Sequence, residues 1–180
     1  MASGNLETEI KLRVADPEAA RQAVARLGVG PVRLRHFEVN LLWDDASGSL
    51  RSQGQVLRVR ETDAGGVLTF KGARRAVEGV KAREEIETGV AEPARLAQIL
   101  LALGFRPFFR YEKYRTTYRW LDVELVIDET PIGTFLEIEG PVGTIHAAAE
   151  ALGFSPSDAI TDSYPQLFFA AGGQGDMVFR

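Results

Sequence analysis

Hydrophobic and polar positions alternate along most of this chain. Near its start, Leu6, Ile10, Leu12 and Val14 fall on one side of an extended segment, and Glu7, Glu9, Lys11 and Arg13 on the other. The same period of two returns in Leu57-Arg58-Val59-Arg60, Leu68-Thr69-Phe70-Lys71, Ala82 to Glu87, Lys113-Tyr114-Arg115, Val123 to Asp128 and Leu136 to Glu139. It predicts strands at about 56–62, 66–71, 80–89, 105–120, 121–129 and 133–140, besides the first. A further strand spans about 32–45, and Asp63-Ala64-Gly65-Gly66 makes a hairpin turn. Helices interrupt the strands. Asp16-Pro17-Glu18 reads as a helix start, with Asp16 as the N-cap and Pro17 in the first turn. Ala19, Ala20, Ala23, Val24 and Leu27 form one apolar face, and Gly28 ends the helix. Glu92-Pro93 opens a second helix that ends near Gly104. Further helices are expected over about 141–152 and 161–171, and a mobile tail over 172–180. Helices that separate groups of hairpins predict a mostly antiparallel sheet and an α+β fold. With no linker and no fixed repeat, residues 1–180 read as one domain with its core over about 5–171.

One charged strand face is ordinarily a solvated one. Here the charged face recurs in strand after strand, with acids and bases each clustered, which points to a shared polar surface. The helices carry apolar faces that need the apolar side of the sheet, so the charged side is left for a concave face or a lumen. Burying so many charges costs several kcal/mol per ion unless they are paired or bind ions. A wet tunnel that takes a charged ligand avoids that cost. Lysines and arginines lining it suit a run of phosphates. Clustered carboxylates suit a hard cation such as Mg²⁺ or Mn²⁺.

Composition narrows the options. The chain has 180 residues, 45% hydrophobic and 26% charged, enough for one domain with a real core. A net charge of −4 argues against a nucleic-acid partner but not against a local site for a small polyanion. There are no cysteines, hence no disulfide, thiolate ligand or thiol nucleophile. No apolar run is long enough to cross a membrane, and Met-Ala-Ser-Gly-Asn lacks the basic and apolar regions of a signal peptide. A cytoplasmic location and no membrane partner are the expectations.

Glu7-x-Glu9-x-Lys11 resembles the E-x-E-x-K signature of the CYTH superfamily, the triphosphate tunnel metalloenzymes. The ordered set that follows strengthens the likeness. It comprises Leu57-Arg58-Val59-Arg60, Leu68-Thr69-Phe70-Lys71-Gly72, Arg83-x-Glu85-x-Glu87, Lys113-x-Arg115, Asp128 and Gly133-x-Phe135-Leu136-Glu137-Ile138-Glu139-Gly140. Ser163-Tyr164 resembles the Ser-Tyr before the family's last helix. The resemblance implies a closed eight-stranded antiparallel β tunnel with helices packed outside, and a divalent metal, Mg²⁺ or Mn²⁺. It also implies hydrolysis or cyclisation of a small triphosphate compound. Carried over by position, Glu7, Glu9, Asp128, Glu137 and Glu139 would be metal ligands. Lys11, Arg58, Arg60, Lys71, Lys113 and Arg115 would grip phosphates, and Arg83 would do so or orient Glu85 and Glu87. Glu9, Lys71 and Glu85 are the candidate catalytic groups. Family members are often homodimers, so a dimer is within the expectation.

The sequence departs from the family pattern in three places. The second strand, Asn40-Leu41-Leu42-Trp43-Asp44-Asp45, has no tyrosine to pair with the Lys71-type lysine. Thr161-Asp162 stand where many members carry Lys or Arg. The His-Phe and extra acid found upstream of the first motif in class IV cyclases are missing. With only two histidines, His36 and His146, a histidine mechanism is not expected. Three functions stay open: a triphosphatase acting on inorganic, thiamine or nucleoside triphosphate; a class IV adenylate cyclase making cyclic AMP and pyrophosphate; and a non-catalytic polyphosphate- or nucleotide-binding module. Retention of Glu7, Glu9, Glu137 and Glu139 favours an enzyme.

Overall fold

Among the described residues there are nine strands. They are β1 (Asn5–Val14), β2 (Pro31–Asp44), β3 (Val56–Thr62), β4 (Gly65–Lys71), β5 (Arg75–Val77), β6 (Val80–Val90), β7 (Arg106–Trp120), β8 (Val123–Thr130) and β9 (Gly133–Glu139). Between them lie α1 (Pro17–Ala25), α2 (Ser49–Ser52), α3 (Pro93–Ala102), α4 (Val142–Ala151) and α5 (Tyr164–Ala170). The computed structural model describes residues 5–180, so the expectation for the first residues, Met1–Gly4, lies outside the described residues.

The strands run in the order β1-β9-β8-β7-β2-β3-β4-β6, and β1 pairs again with β6. Every ladder is antiparallel. The result is a closed eight-stranded barrel with helices outside, an α+β fold, as the alternation and the resemblance predict. Closure leaves no open edge around the ring. Strand β5, which the sequence pattern does not signal, is a short hairpin partner for the start of β6.

The period of two sorts the side chains. Odd-numbered β1 residues face inward, and Ile10 and Leu12 face outward. Outside, Leu12, Leu125, Ile127, Leu136 and Ile138 pack against Ala20 and Val24 of α1 and Ile145 and Ala148 of α4. Each fully buried Leu or Ile contributes about 1.5–3 kcal/mol. A second outer cluster sets Leu96 and Leu100 of α3 against Trp43, Val59 and Leu68. Helix α1 starts as expected, with the Asp16 carboxylate accepting from the Ala19 amide at 2.8 Å.

A third cluster lies at one end of the lumen. Leu42, Phe109, Tyr111 and Phe135, all of inward parity, meet Tyr164, Leu167 and Phe168 of α5 and Met177 of the tail. The tail was expected to be mobile; instead it lies alongside β7. Met177 donates to the Arg110 carbonyl and accepts from the Glu112 amide, both at 2.9 Å, and its side chain is fully buried. The Asp176 carboxylate accepts from the Arg110 amide at 2.8 Å, and the Phe179 amide donates to Glu112 at 3.1 Å, so the Gly-rich stretch 172–175 is followed by an anchored end.

The β2–β3 connection holds a short helix. The buried Asp44 carboxylate accepts from the backbone amides of Leu50 (3.0 Å) and Arg51 (3.1 Å) and from Arg51 Nε (2.9 Å), and so caps the short helix α2. At the end of β9, a side chain at Gly140 would bring Cβ within 2.8 Å of Val123 Cγ1, so only glycine fits there. Among the described residues, no helix is long and apolar enough to cross a membrane.

Candidate active site

The inward side of the barrel is lined by charge. Parity puts Glu7, Glu9 and Lys11 of β1, Arg58 and Arg60 of β3, Lys71 of β4 and Arg83 and Glu85 of β6 on that side. It does the same for Lys113 and Arg115 of β7, Asp128 of β8 and Glu137 and Glu139 of β9. In the eight-membered ring, β9 and β3 stand four strands apart. The carboxylates of Glu137 and Glu139 therefore occupy the wall opposite Arg58 and Arg60.

These groups interlock. Lys71 sits between Glu7 (2.7 Å) and Glu85 (3.1 Å). Lys11 pairs with Glu137 at 2.7 Å, and Arg115 with Glu137 at 2.6 Å. Arg58 reaches Glu87 at 3.3 Å and Thr69 at 3.2 Å. Arg60 lies 4.0 Å from Glu38 and 3.8 Å from Glu87. Arg83 is only 4% exposed, yet among the described residues it has no carboxylate within 4.0 Å, and its Nε has no hydrogen-bond partner. A buried cation without a partner is a strong anion-seeking group.

The acids divide into two sets. Asp128, expected among the metal ligands, is fully buried and fully occupied. It takes Lys113 at 2.8 Å, Arg115 Nε at 2.7 Å and the Tyr164 hydroxyl at 2.8 Å. Nothing of it is free to face an ion, so it reads as an ion-pair hub that anchors α5 to the lumen. The other set is a row. Glu139 pairs in register with Glu9 on β1 and with Glu124 on β8, so three carboxylates stand side by side across three strands. Burial, then the Glu7 carboxylate, pushes the Glu139 carboxyl up to about 7; Glu9 and Glu124 add to the effect, and Lys71 opposes it. Glu9 itself is held well below its usual range. Burial would raise it, but Lys11 and Lys81 outweigh that. Burial and the neighbouring Glu7 likewise push Glu85 up to about 8, against the pull of Lys71.

Oxygen donors crowded until they resist ionising are the donor chemistry a hard cation selects. The row fits such an ion in composition. As the side chains stand, no three acidic or histidine groups among the described residues converge closely enough to hold one, because lysines have taken their place. Lys81 holds Glu9 as Lys71 holds Glu7.

Sequence reasoning missed several lumenal groups. Lys81 shares the parity of Arg83 and Glu85, so the signal was present. Glu124, by contrast, shares the charged face of Asp128 in the alternation, and only its place beside Glu139 waits for the β8–β9 register. Glu38, Asn40 and Tyr111 sit in long strands whose inward face is part apolar, which masks the alternation. Tyr164 was flagged by Ser163-Tyr164. Its ring lies under Lys11 (4.7 Å to the centroid) and Lys113 (5.5 Å). Two hollows on the outer surface, one beside His146 and Phe154 and one beside Arg35 and Glu61, contain none of these groups.

The CYTH domain family matches residues 5–164, which include every strand of the barrel. The chain belongs to the CYTH domain family. A protein of Methanocaldococcus jannaschii provisionally named an adenylate cyclase is 27% identical over 174 residues, covering 90% of this chain and 98% of that protein. Among solved structures, a Vibrio parahaemolyticus protein, also provisionally named an adenylate cyclase, superposes with a TM-score of 0.82 at 20% identity. It covers 93% of this CYTH chain and 99% of its own. A Hippeastrum protein first taken for an adenylyl cyclase, and described as having a dominant triphosphatase activity, superposes with a TM-score of 0.65 at 24% identity. It covers 93% of this chain and 97% of its own. At these identities the structural likenesses show the fold.

Proposed function

We propose that this CYTH protein is a divalent-metal-dependent phosphohydrolase acting on a small triphosphate compound held in its lumen. The observation that carries the reading is the opposition inside one closed barrel. The carboxylate row Glu9–Glu139–Glu124 stands across the lumen from Arg58 and Arg60, and beside the row, on β6, the buried Arg83 has no carboxylate partner among the described residues.

Each ion pair of the lumen can be exchanged without creating an uncompensated charge. When Lys71 turns from Glu7 to a phosphate, Glu7 is released towards a cation; Lys81 with Glu9 and Lys11 with Glu137 exchange in the same way. The lumen's charges are already desolvated in the free protein, so a metal–triphosphate complex replaces salt bridges rather than water. Glu7, Glu9, Glu137, Glu139 and Glu124 would hold Mg²⁺ or Mn²⁺. Lys11, Arg58, Arg60, Lys71, Arg83, Lys113 and Arg115 would hold the phosphates, with Lys113 and Arg115 kept in place by Asp128. The ion, when bound, supplies Lewis-acid polarisation of the phosphoryl oxygens. The guanidinium groups stabilise the charge that develops on those oxygens in the transition state. Glu85, 3.1 Å from Lys71, orients that ammonium.

Adenylate cyclase activity is the second reading, favoured by the name of the M. jannaschii relative. Both reactions need the same clamp. The aromatic cluster that closes one lumen end confines the phosphates to a short chamber, which supports the hydrolytic reading for compact substrates. The test is product analysis after incubation with ATP, inorganic triphosphate and thiamine triphosphate, each with Mg²⁺ or Mn²⁺. Orthophosphate release supports hydrolysis. Cyclic AMP with pyrophosphate from ATP supports the cyclase, and binding without any product supports a non-catalytic module.

A further inference from the structure

The wall formed by β2 and β3 contains a group of polar atoms that the fold does not use. Asn40 is fully buried and shares the inward parity of Glu38, yet neither its Nδ2 nor its Oδ1 has a hydrogen-bond partner among the described residues. Glu38, two positions earlier on the same face, is also fully buried. Its Oε1 lies 3.1 Å from His36 Nε2, while its Oε2 has no hydrogen-bond partner and only the Lys113 ammonium 3.6 Å away. Across the sheet, Asn40 stands in register with Arg60 on β3 and Tyr111 on β7, and Leu42 with Arg58. The Nε of Arg58 is unpartnered as well. Buried polar atoms are almost always satisfied, and leaving them unsatisfied costs stability. Four such atoms on two adjacent strands, all facing the lumen, describe a site built for something absent from the free fold.

The chemistry of the atoms limits what fits. Arg58 Nε can only donate, which suits a phosphate oxygen. Glu38 Oε2 can only accept, which repels one. The Asn40 amide presents one donor and one acceptor however it is turned. A group that donates to Glu38 and to the Asn40 oxygen, beside phosphates held by Arg58 and Arg60, is supplied by water, which carries two donor hydrogens and is the co-reactant of hydrolysis.

We infer that Asn40, with Glu38, holds the attacking water of triphosphate hydrolysis against the phosphoryl group gripped by Arg58 and Arg60. The inference rests on the hydrolytic reading above. The water donates one hydrogen to Asn40 Oδ1 and one to Glu38 Oε2, which leaves a lone pair directed at phosphorus. The new O–P bond forms as the bond to the diphosphate leaving group breaks, with its electron pair departing on the diphosphate. The water's proton is lost from the product phosphate to solvent. Such a step is positioning rather than base catalysis, and suits a loose phosphoryl transition state.

The test compares Asn40→Thr and Asn40→Val, which match in shape and differ by a hydroxyl, in kcat, KM and Tm with inorganic triphosphate and Mn²⁺. The expected result is a kcat about 100-fold below wild type in N40V and within about tenfold in N40T. KM should stay within about twofold in both, and the Tm of N40V should be no lower than that of wild type. Equal kcat in the two variants, or in N40V and wild type, overturns the inference. So does a raised KM with kcat preserved, which would make Asn40 a phosphate contact. A Tm loss in N40V that tracks its lost rate also overturns it, because Asn40 would then be structural. A wild type that releases no phosphate sinks the hydrolytic reading and this inference with it. An active wild type with an indifferent Asn40 sinks the inference alone.

Discussion

Glu139 on β9 and Glu9 on β1 stand directly opposite each other on the inward face of the barrel, two carboxylates in one register position. Like charges so placed repel, and a fold would not keep them together for stability alone. The first prediction follows from their pairing. Glu139→Gln should leave the fold intact and its Tm equal to or above that of wild type in the absence of metal. It should also abolish the Tm rise that Mn²⁺ gives the wild type. Glu124→Gln should reduce that rise. A Mn²⁺-dependent rise that is unchanged in both variants removes the row from the ligand set.

Lys71 lies between Glu7 and Glu85, within reach of both. As a phosphate clamp it can be replaced in part by arginine, which also grips phosphate. Lys71→Ala should therefore lower kcat/KM about 100-fold, while Lys71→Arg loses about tenfold or less. If Lys71 gives up a proton in the reaction, arginine cannot substitute. Near-total and equal loss of kcat in both variants, with KM unchanged, would then replace the clamp account.

Asp128 separates structure from metal binding. Two cations and a tyrosine hydroxyl share its carboxylate inside the barrel. Asp128→Asn removes the carboxylate that these two buried cations share, leaving Arg115 only Glu137 and Lys113 only the more distant Glu38, which should cost about 3–5 kcal/mol in chemical denaturation. Tyr164→Phe, which loses one hydrogen bond to a charged group, should cost about 1.5–3 kcal/mol. Mn²⁺ affinity of the folded Asp128→Asn protein should stay within a few-fold. A selective collapse of Mn²⁺ affinity, with stability intact, would return Asp128 to the metal ligands.

Glu38 gives the fold a pH dependence with a definite sign. Burial alone would raise its carboxyl, but Lys113, Arg115 and Arg60 outweigh burial and hold it well below the ordinary glutamate value of 4.5. A carboxyl depressed in the folded state adds stability that is whole above its unfolded pKa and is lost as pH falls towards the folded one. Wild-type Tm should therefore fall more steeply than that of Glu38→Gln as pH drops from about 5 to about 3. Parallel curves would show that Glu38 is not held ionised by the lumen's cations.

Much of this was legible in the sequence because a barrel wall obeys a period of two. Glu7, Glu9 and Lys11 declare the inward side of β1, and the same parity carries to Arg58, Arg60, Lys71, Glu137 and Glu139. What parity cannot give is register. Glu124 becomes a neighbour of Glu139 only through the β8–β9 pairing, and Asp128 leaves the carboxylate row for the same reason. Nor does parity mark the closed end, where Leu42, Phe109 and Phe135 occupy inward positions as apolar residues. The docked tail escaped because its anchors, Asp176, Met177 and Phe179, follow a glycine-rich stretch and carry no periodic pattern.

The central claim is that the lumen hydrolyses a triphosphate through a cation held by its carboxylates. Orthophosphate release from inorganic triphosphate, measured in Mn²⁺, in Mg²⁺ and after chelation, tests it most directly, with Glu139→Gln run beside the wild type. The account predicts release by the wild type that needs the ion, stops on chelation, returns when the ion is restored and is lost in Glu139→Gln. Release that persists in chelator, or that is equal in the two proteins, would contradict it.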